Sequence, residues 1–139
     1  MTESTGEGLV VDASAVVAAL TSEPGSVELI GWLEAASRRL MSAATRVEVG
    51  IVIESRLGTA GRDALDRFLR DTGVEVVEID SDAAERAVAA WRRFGKGRHR
   101  AGLNYGDCFV YALADGAGLP VLCTGDDFAA TDLEVFRPR

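Results

Sequence analysis

The sequence predicts an α/β fold with a mainly parallel central sheet, and three observations predict it. Short apolar runs such as "LVV" (9–11) and "PVLCT" (120–124) lack polar alternation, the pattern of strands covered on both faces. Between such runs lie longer stretches with helical periodicity, the strand–helix alternation of a parallel sheet. Gly58, Gly73, Gly95 and Gly118 stand just after helical patterns, where a helix commonly stops.

The elements follow in order. "LVVDASAVVAAL" (9–20) reads as a buried strand running into a helix, with Asp12 at the strand's carboxyl end. In "SEPGSVELIGWLEAASRR" (22–39), Pro24 suits a first helical turn, Val27, Ile30 and Leu33 mark one face, and Trp32 and Ala36 widen it towards the core. "LMSA" (40–43) is a second short strand. "TRVEVGIVIESRL" (45–57) is a helix apolar on most sides that Gly58 ends, and "GRDALDRFLRDTG" (61–73) is a further helix with Leu65, Phe68 and Leu69 inward. "VEVVEI" (74–79) predicts a strand, and "SDAAERAVAAWRRFG" (81–95) a helix opened by a Ser or Asp cap. A Gly- and Arg-rich loop leads to a helix at about 104–117, then "PVLCT" adds a buried strand and "GDDFAATDLEVF" (125–136) finishes the chain. Residues 1–8 are expected to be a flexible tail and residues 9–139 a single domain.

The 139 residues suffice for one domain with a real core. Apolar residues make up 47%, so the chain has enough of them to fold, and no run is long enough to cross a membrane. "MTESTGEG" lacks the order of a signal peptide, and Cys108 and Cys123 show no zinc-type spacing; reduced, buried thiols in a cytoplasmic protein are expected. The net charge of −7 argues against a general nucleic-acid coat. Its distribution is uneven, since "RRFGKGRHR" (92–100) carries +5 and the remainder therefore −12.

Four acids stand out. Asp12 and Asp126 follow apolar strands directly, and open parallel sheets bind ligands outside the carboxyl ends of their strands. Asp107 opens the apolar helix "LNYGDCFVYALA" (103–114). Glu48 has Ala44, Thr45, Ile51 and Val52 as helical neighbours, so its carboxylate is expected along an apolar face. Each acid has a plainer reading: Asp12 and Asp107 as helix-terminus residues, Glu48 as a salt-bridge partner, Asp126 and Asp127 as turn residues. Together near one end of a fold they repel, and a hard divalent cation removes that repulsion. With one histidine and no cysteine pair, the chain offers an oxygen-only site, which suits Mg²⁺, or Mn²⁺ as its substitute, in phosphoryl chemistry.

The stretches "VVDASA", "TRVEVGIVIESRL", "GKGRHRAGLNYGDCFVYALA" and "LCTGDDF", in this order, resemble the PIN-domain nucleases, most closely the VapC-type toxins of bacterial toxin–antitoxin pairs. The likeness runs from about Leu9 to Phe136. It implies a small three-layer α/β/α sandwich and Mg²⁺-dependent cleavage of RNA. It implies Asp12 and Asp107 as principal metal ligands, Glu48 completing the acidic cluster, and Asp126 as fourth acid through a Thr-x-Asp pattern that Asp127 also approaches. It further implies a homodimer and a VapB-type antitoxin that blocks the crevice. Ser14 is a hydroxyl partner for the cluster or a helix cap. Lys96, Arg98 and Arg100 in the basic strip are expected to hold the RNA backbone beside the acids. His99 as general base is a weaker reading, because the metal route does not need it.

Other classes compete. A different metal-dependent phosphohydrolase or DNA nuclease would use the same acids, and a noncatalytic RNA-binding relative would keep the fold. A receiver-like signalling domain fits poorly. Receivers pair two acids after the first strand, whereas Ala13 follows Asp12, and the lone lysine, Lys96, lies in the basic loop.

Overall fold

A computed structural model describes residues 7–139. Of the tail expected at residues 1–8, residues 1–6 lie outside the described residues, while Gly8 is buried. A Cβ at Gly8 would stand 2.9 Å from the Arg38 carbonyl oxygen, so its bare backbone lets the chain enter the sheet there.

Among the described residues, five strands form one sheet in the order β3-β2-β1-β4-β5, and every pairing is parallel. The strands are β1 (Leu9–Val11), β2 (Arg39–Ser42), β3 (Val74–Val77), β4 (Val121–Leu122) and β5 (Val135–Phe136). Five helices accompany them: α1 (Ala13–Leu20), α2 (Ser26–Ala35), α3 (Ala43–Thr72), α4 (Ser81–Phe94) and α5 (Tyr105–Ala117). The apolar runs have a direct cause. Leu9 and Val11 of β1 pack with α1, α2 and α3, whereas Val10 packs with α4 and α5. Both sheet faces are therefore buried, and the architecture is a three-layer α/β/α sandwich. β1 sits at the centre, with Leu9, Val10 and Val11 wholly inaccessible.

The structure corrects some local expectations and bears out another. Pro24 lies before α2, whose N-cap is Gly25 in the left-handed region at φ 91°. Of the expected α2 face, Leu33 is buried, as is Ala36 just past the helix, but Val27 is 83% exposed and Leu29 is buried in its place. The segment is apolar on more than one side, so its pattern did not fix the inward face. Gly58 ends the first helical segment as expected: at φ 67° and ψ −155° it breaks α3 into two helical segments on either side of a kink. Buried Gly61 follows the break, where a Cβ would stand 2.4 Å from Leu57 Cβ, so the second half of α3 can pack tightly against the first. The cap of α4 is Asp80, whose carboxylate accepts from the Ala83 N–H at 2.9 Å. The two-residue strand β5 was not predicted; it is too short for a sequence pattern, yet Phe136 is fully buried against Trp32 at 5.7 Å between ring centroids.

Two glycine substitutions test this backbone reading. Gly58 occupies a conformation almost restricted to glycine, so Gly58→Ala is expected to lower unfolding stability by about 2 kcal/mol in urea titration. Gly31, inside α2 with open space where a Cβ would go, should give the opposite sign, a gain of about 0.5–1 kcal/mol on change to Ala.

Candidate active site

β1 and β4 are hydrogen-bonded neighbours, and each delivers one residue at its carboxyl end to the same place. Asp12 follows β1 and caps α1, and it is 9% exposed. Its Oδ2 accepts from the Ser14 N–H at 3.1 Å and from the Ser14 hydroxyl at 2.5 Å. The same hydroxyl oxygen accepts from the Thr124 N–H at 3.0 Å. A chain of hydrogen bonds thus ties the end of β4 to the carboxylate at the end of β1. The capping reading and the cluster reading of Asp12 describe one residue doing both.

Asp107 arrives on the first turn of α5. Asn104 Oδ1 accepts from the Asp107 N–H at 2.9 Å, and Asp107 Oδ2 accepts from the Asn104 N–H at 3.1 Å. This reciprocal cap fixes the carboxylate while leaving its second oxygen available. Glu48 comes from α3. The buried face of that segment is Thr45, Val49 and Ile53, so Glu48 is not laid along an apolar face as expected; it is exposed, as is Ile51. Glu48 approaches α5 over Gly106, where a Cβ would come within 2.6 Å of its Oε1.

These three acids line one pocket of about 370 Å³, together with Ser14, Thr124, Asp127, Glu23 and Arg56. Of the two adjacent aspartates, Asp127 borders this pocket and Asp126 does not. Gly125 turns the chain at φ 80°, and Asp126 points outward to an ion pair with Arg137. Sequence spacing alone could not choose between neighbours on a turn. Arg56 and Gly106 were also missed; Arg56 stands eight residues after Glu48, two steps of four along one helical face, which is a readable signal.

The basic strip lies elsewhere. Neither Lys96, Arg98 nor Arg100 borders the acidic pocket. Arg98 folds back, its Nε donating to the Arg92 carbonyl at 3.2 Å and its guanidinium lying 4.5 Å above the Trp91 ring. Lys96 borders a separate groove between α4 and α5, lined by Trp91, Tyr105 and Phe109. His99 accepts from the Ala101 N–H through Nδ1 and sets its ring edge against Phe94, a structural role.

Crowding shows in the acids' affinities for protons. Asp12 is pushed up by burial, against the pull of its Ser14 hydrogen bonds. Glu48 is raised by burial and then by Asp12. Asp107 is pushed up to about 6, first by burial and then by Asp12, Asp127 and Glu48. Among the described residues, none of the five acids that line the pocket has an ion-pair partner. No three potential ligands there stand close enough to enclose an ion by themselves. An all-carboxylate set of this kind fits a hard divalent cation held by one or two carboxylates and its own waters, and does not fit a zinc-type site.

A parallel three-layer sandwich with acids gathered at the strand ends defines a class, and comparison with known proteins agrees. Residues 9–133 match the PIN domain family. Ribonuclease VapC of Mycolicibacterium smegmatis is 50% identical over 125 residues, covering 90% of this chain and 97% of that protein. Ribonuclease VapC30 of Mycobacterium tuberculosis is 48% identical over 125 residues, covering 90% and 95%. The crystal structure of Mycobacterium tuberculosis VapC20, described as a sarcin-ricin loop cleaving toxin, superposes with a TM-score of 0.76 at 18% identity, covering 94% of this chain and all of that one, which speaks to the fold. The chain belongs to the PIN-domain family, as a VapC-type member. VapC ribonucleases of this family are generally divalent-metal dependent.

A pH-dependent stability test follows from Asp107. Its folded value of about 6 lies above the ordinary 3.8, so the protonated form favours folding. That contribution is complete below the ordinary value and is lost as pH rises through the folded one. Asp107→Asn is therefore expected to raise the thermal midpoint of the metal-free protein at about pH 7.5, with the gain vanishing towards about pH 4 in parallel melts.

Proposed function

We infer that this protein is a Mg²⁺-dependent ribonuclease that hydrolyses RNA phosphodiester bonds, with Mn²⁺ as a substitute ion, and that it acts as the toxin of a toxin–antitoxin pair. The observation that carries this reading is the convergence of Asp12, Glu48, Asp107 and Asp127, from four separate segments, on one solvent-open pocket. Identity of 50% to a protein named Ribonuclease VapC supports the choice of RNA as substrate.

Asp12 and Asp107 would be the principal ligands of such an ion. Ser14 holds one oxygen of Asp12 and the Asn104 N–H holds one oxygen of Asp107, which positions both carboxylates. When bound, a divalent cation lowers the pKa of water and offsets charge on the phosphate's nonbridging oxygens. Glu48 and Asp127 accept hydrogen bonds from the attacking water and direct it in line with the leaving 3′ oxygen. Ser14 keeps Asp12 in place, and Thr124 keeps Ser14 in place. Lys96, Arg98 and Arg100, lying outside the pocket, hold RNA phosphates further along the strand. Residues 9–139 work as one domain in the cytoplasm, as a homodimer, with a VapB-type antitoxin as inhibitor. Among the described residues no helix is long and apolar enough to cross a membrane.

Incubation with a mixed RNA pool tests the reading. Cleavage is expected with Mg²⁺ or Mn²⁺ and should stop with EDTA, while Asp12→Asn and Asp127→Asn each lower the rate by about a hundredfold or more. Asp126→Asn should stay within about twofold of the parent, because its carboxylate engages Arg137 outside the pocket. RNA cleavage that survives both EDTA and Asp12→Asn would sink the proposal. A separate check is Gly106→Ala, whose new methyl displaces the end of the flexible Glu48 side chain. It should slow cleavage by about tenfold with an unchanged thermal midpoint.

A further inference from the structure

We propose that Arg56 binds the RNA phosphate adjacent to the bond that is cut, an inference that rests on the ribonuclease reading. Glu48, Val52 and Arg56 repeat at four-residue intervals on the unbroken first half of α3, and all three line the acidic pocket. Eight residues of helix separate Glu48 from Arg56 by about 12 Å along the axis, so Arg56 commands the rim of the pocket while Glu48 serves its centre.

The electrostatics of the pocket need such a residue. Its lining carries five carboxylates, from Asp12, Glu23, Glu48, Asp107 and Asp127, and Arg56 is the one cation among the lining residues. An RNA strand entering meets repulsion that the basic strip, outside the pocket, does not relieve locally. Arg38, Arg46, Arg86, Arg93 and Arg137 all pair with carboxylates. Arg56 makes neither a hydrogen bond nor an ion pair with any described residue, although it borders the same cavity as five acids. Its planar fork is exposed and matches two phosphate oxygens at once, which a lysine ammonium does not. Held off the acids, it is available to an anion.

The test measures RNA binding in a cleavage-silent Asp107→Asn background, with labelled single-stranded RNA and fluorescence anisotropy over a range of salt. Adding Arg56→Gln should weaken binding by about tenfold and flatten the slope of log K against log salt by about 0.7, one phosphate contact on a single strand. Arg56→Lys should keep the slope and recover part of the affinity. In the cleaving protein, Arg56→Gln should raise KM with kcat within about twofold. A neutral methylphosphonate at the flanking phosphate should weaken the parent equally and the Arg56→Gln protein no further. Thermal stabilisation by Mn²⁺ should be the same with and without the substitution. Unchanged affinity and salt slope would overturn the proposal, as would greater Mn²⁺ stabilisation with unchanged RNA affinity, the signature of an internal counter-ion that competes with the metal. RNA cut equally well by parent and Arg56→Gln proteins defeats only this inference, whereas a parent that cuts no RNA defeats the ribonuclease reading itself.

Discussion

Four carboxylates share one end of a sheet whose interior is otherwise apolar, and their mutual repulsion is the constraint around which the structure is arranged. Asp12 is almost fully buried at the end of the central strand, and burial raises its affinity for a proton. Asp107 responds to burial and to each of its three acidic neighbours. Among the described residues, no arginine or lysine pairs with any of them. A fold optimised for stability alone would protonate, pair or expose such groups. Keeping them together stores unfavourable interaction that a bound divalent cation would relieve, which would link ion binding to fold stability.

Holding repelling groups in place requires rigid supports, and these are backbone-anchored. The Thr124 N–H, the Ser14 hydroxyl and Asp12 Oδ2 form one line across two adjacent parallel strands. Asp107 is locked by the reciprocal cap with Asn104 at the start of α5. Glu48 reaches the site because Gly106 has no side chain to block it. Each support is also an ordinary structural device, a helix cap or a glycine at a close approach. Capping and site-building are therefore not competing explanations for these residues. A carboxylate that caps with one oxygen still presents the other.

Charge is partitioned over the rest of the surface. The basic strip at the end of α4 and in the loop after it makes local contacts, with Arg93 of α4 paired to Asp132 and Arg98 over Trp91, and Arg56 is the cation that borders the acidic pocket. An RNA strand long enough to touch both regions would meet attraction at each end and an ion-dependent centre between them.

The sequence by itself determined the layered parallel fold, because strands buried on both faces need continuous apolar runs and helices between them need their own periodicity. It also marked Asp12 and Asp107, since acids at a strand end or at the head of an apolar helix are costly without a purpose, whereas its reason for marking Glu48, an apolar helical face, does not hold. The likeness to PIN-domain proteins rested on the same stretches. Only the tertiary structure decided that Asp127 rather than Asp126 enters the pocket, because a single left-handed glycine sets which of two adjacent side chains turns inward. It alone removed the basic loop from the acidic pocket and turned Leu29 of α2 inward in place of Val27. Local pattern fixes which residues belong to an element. The direction a turn residue faces, and the distance between loops remote in sequence, are set by packing of the whole chain.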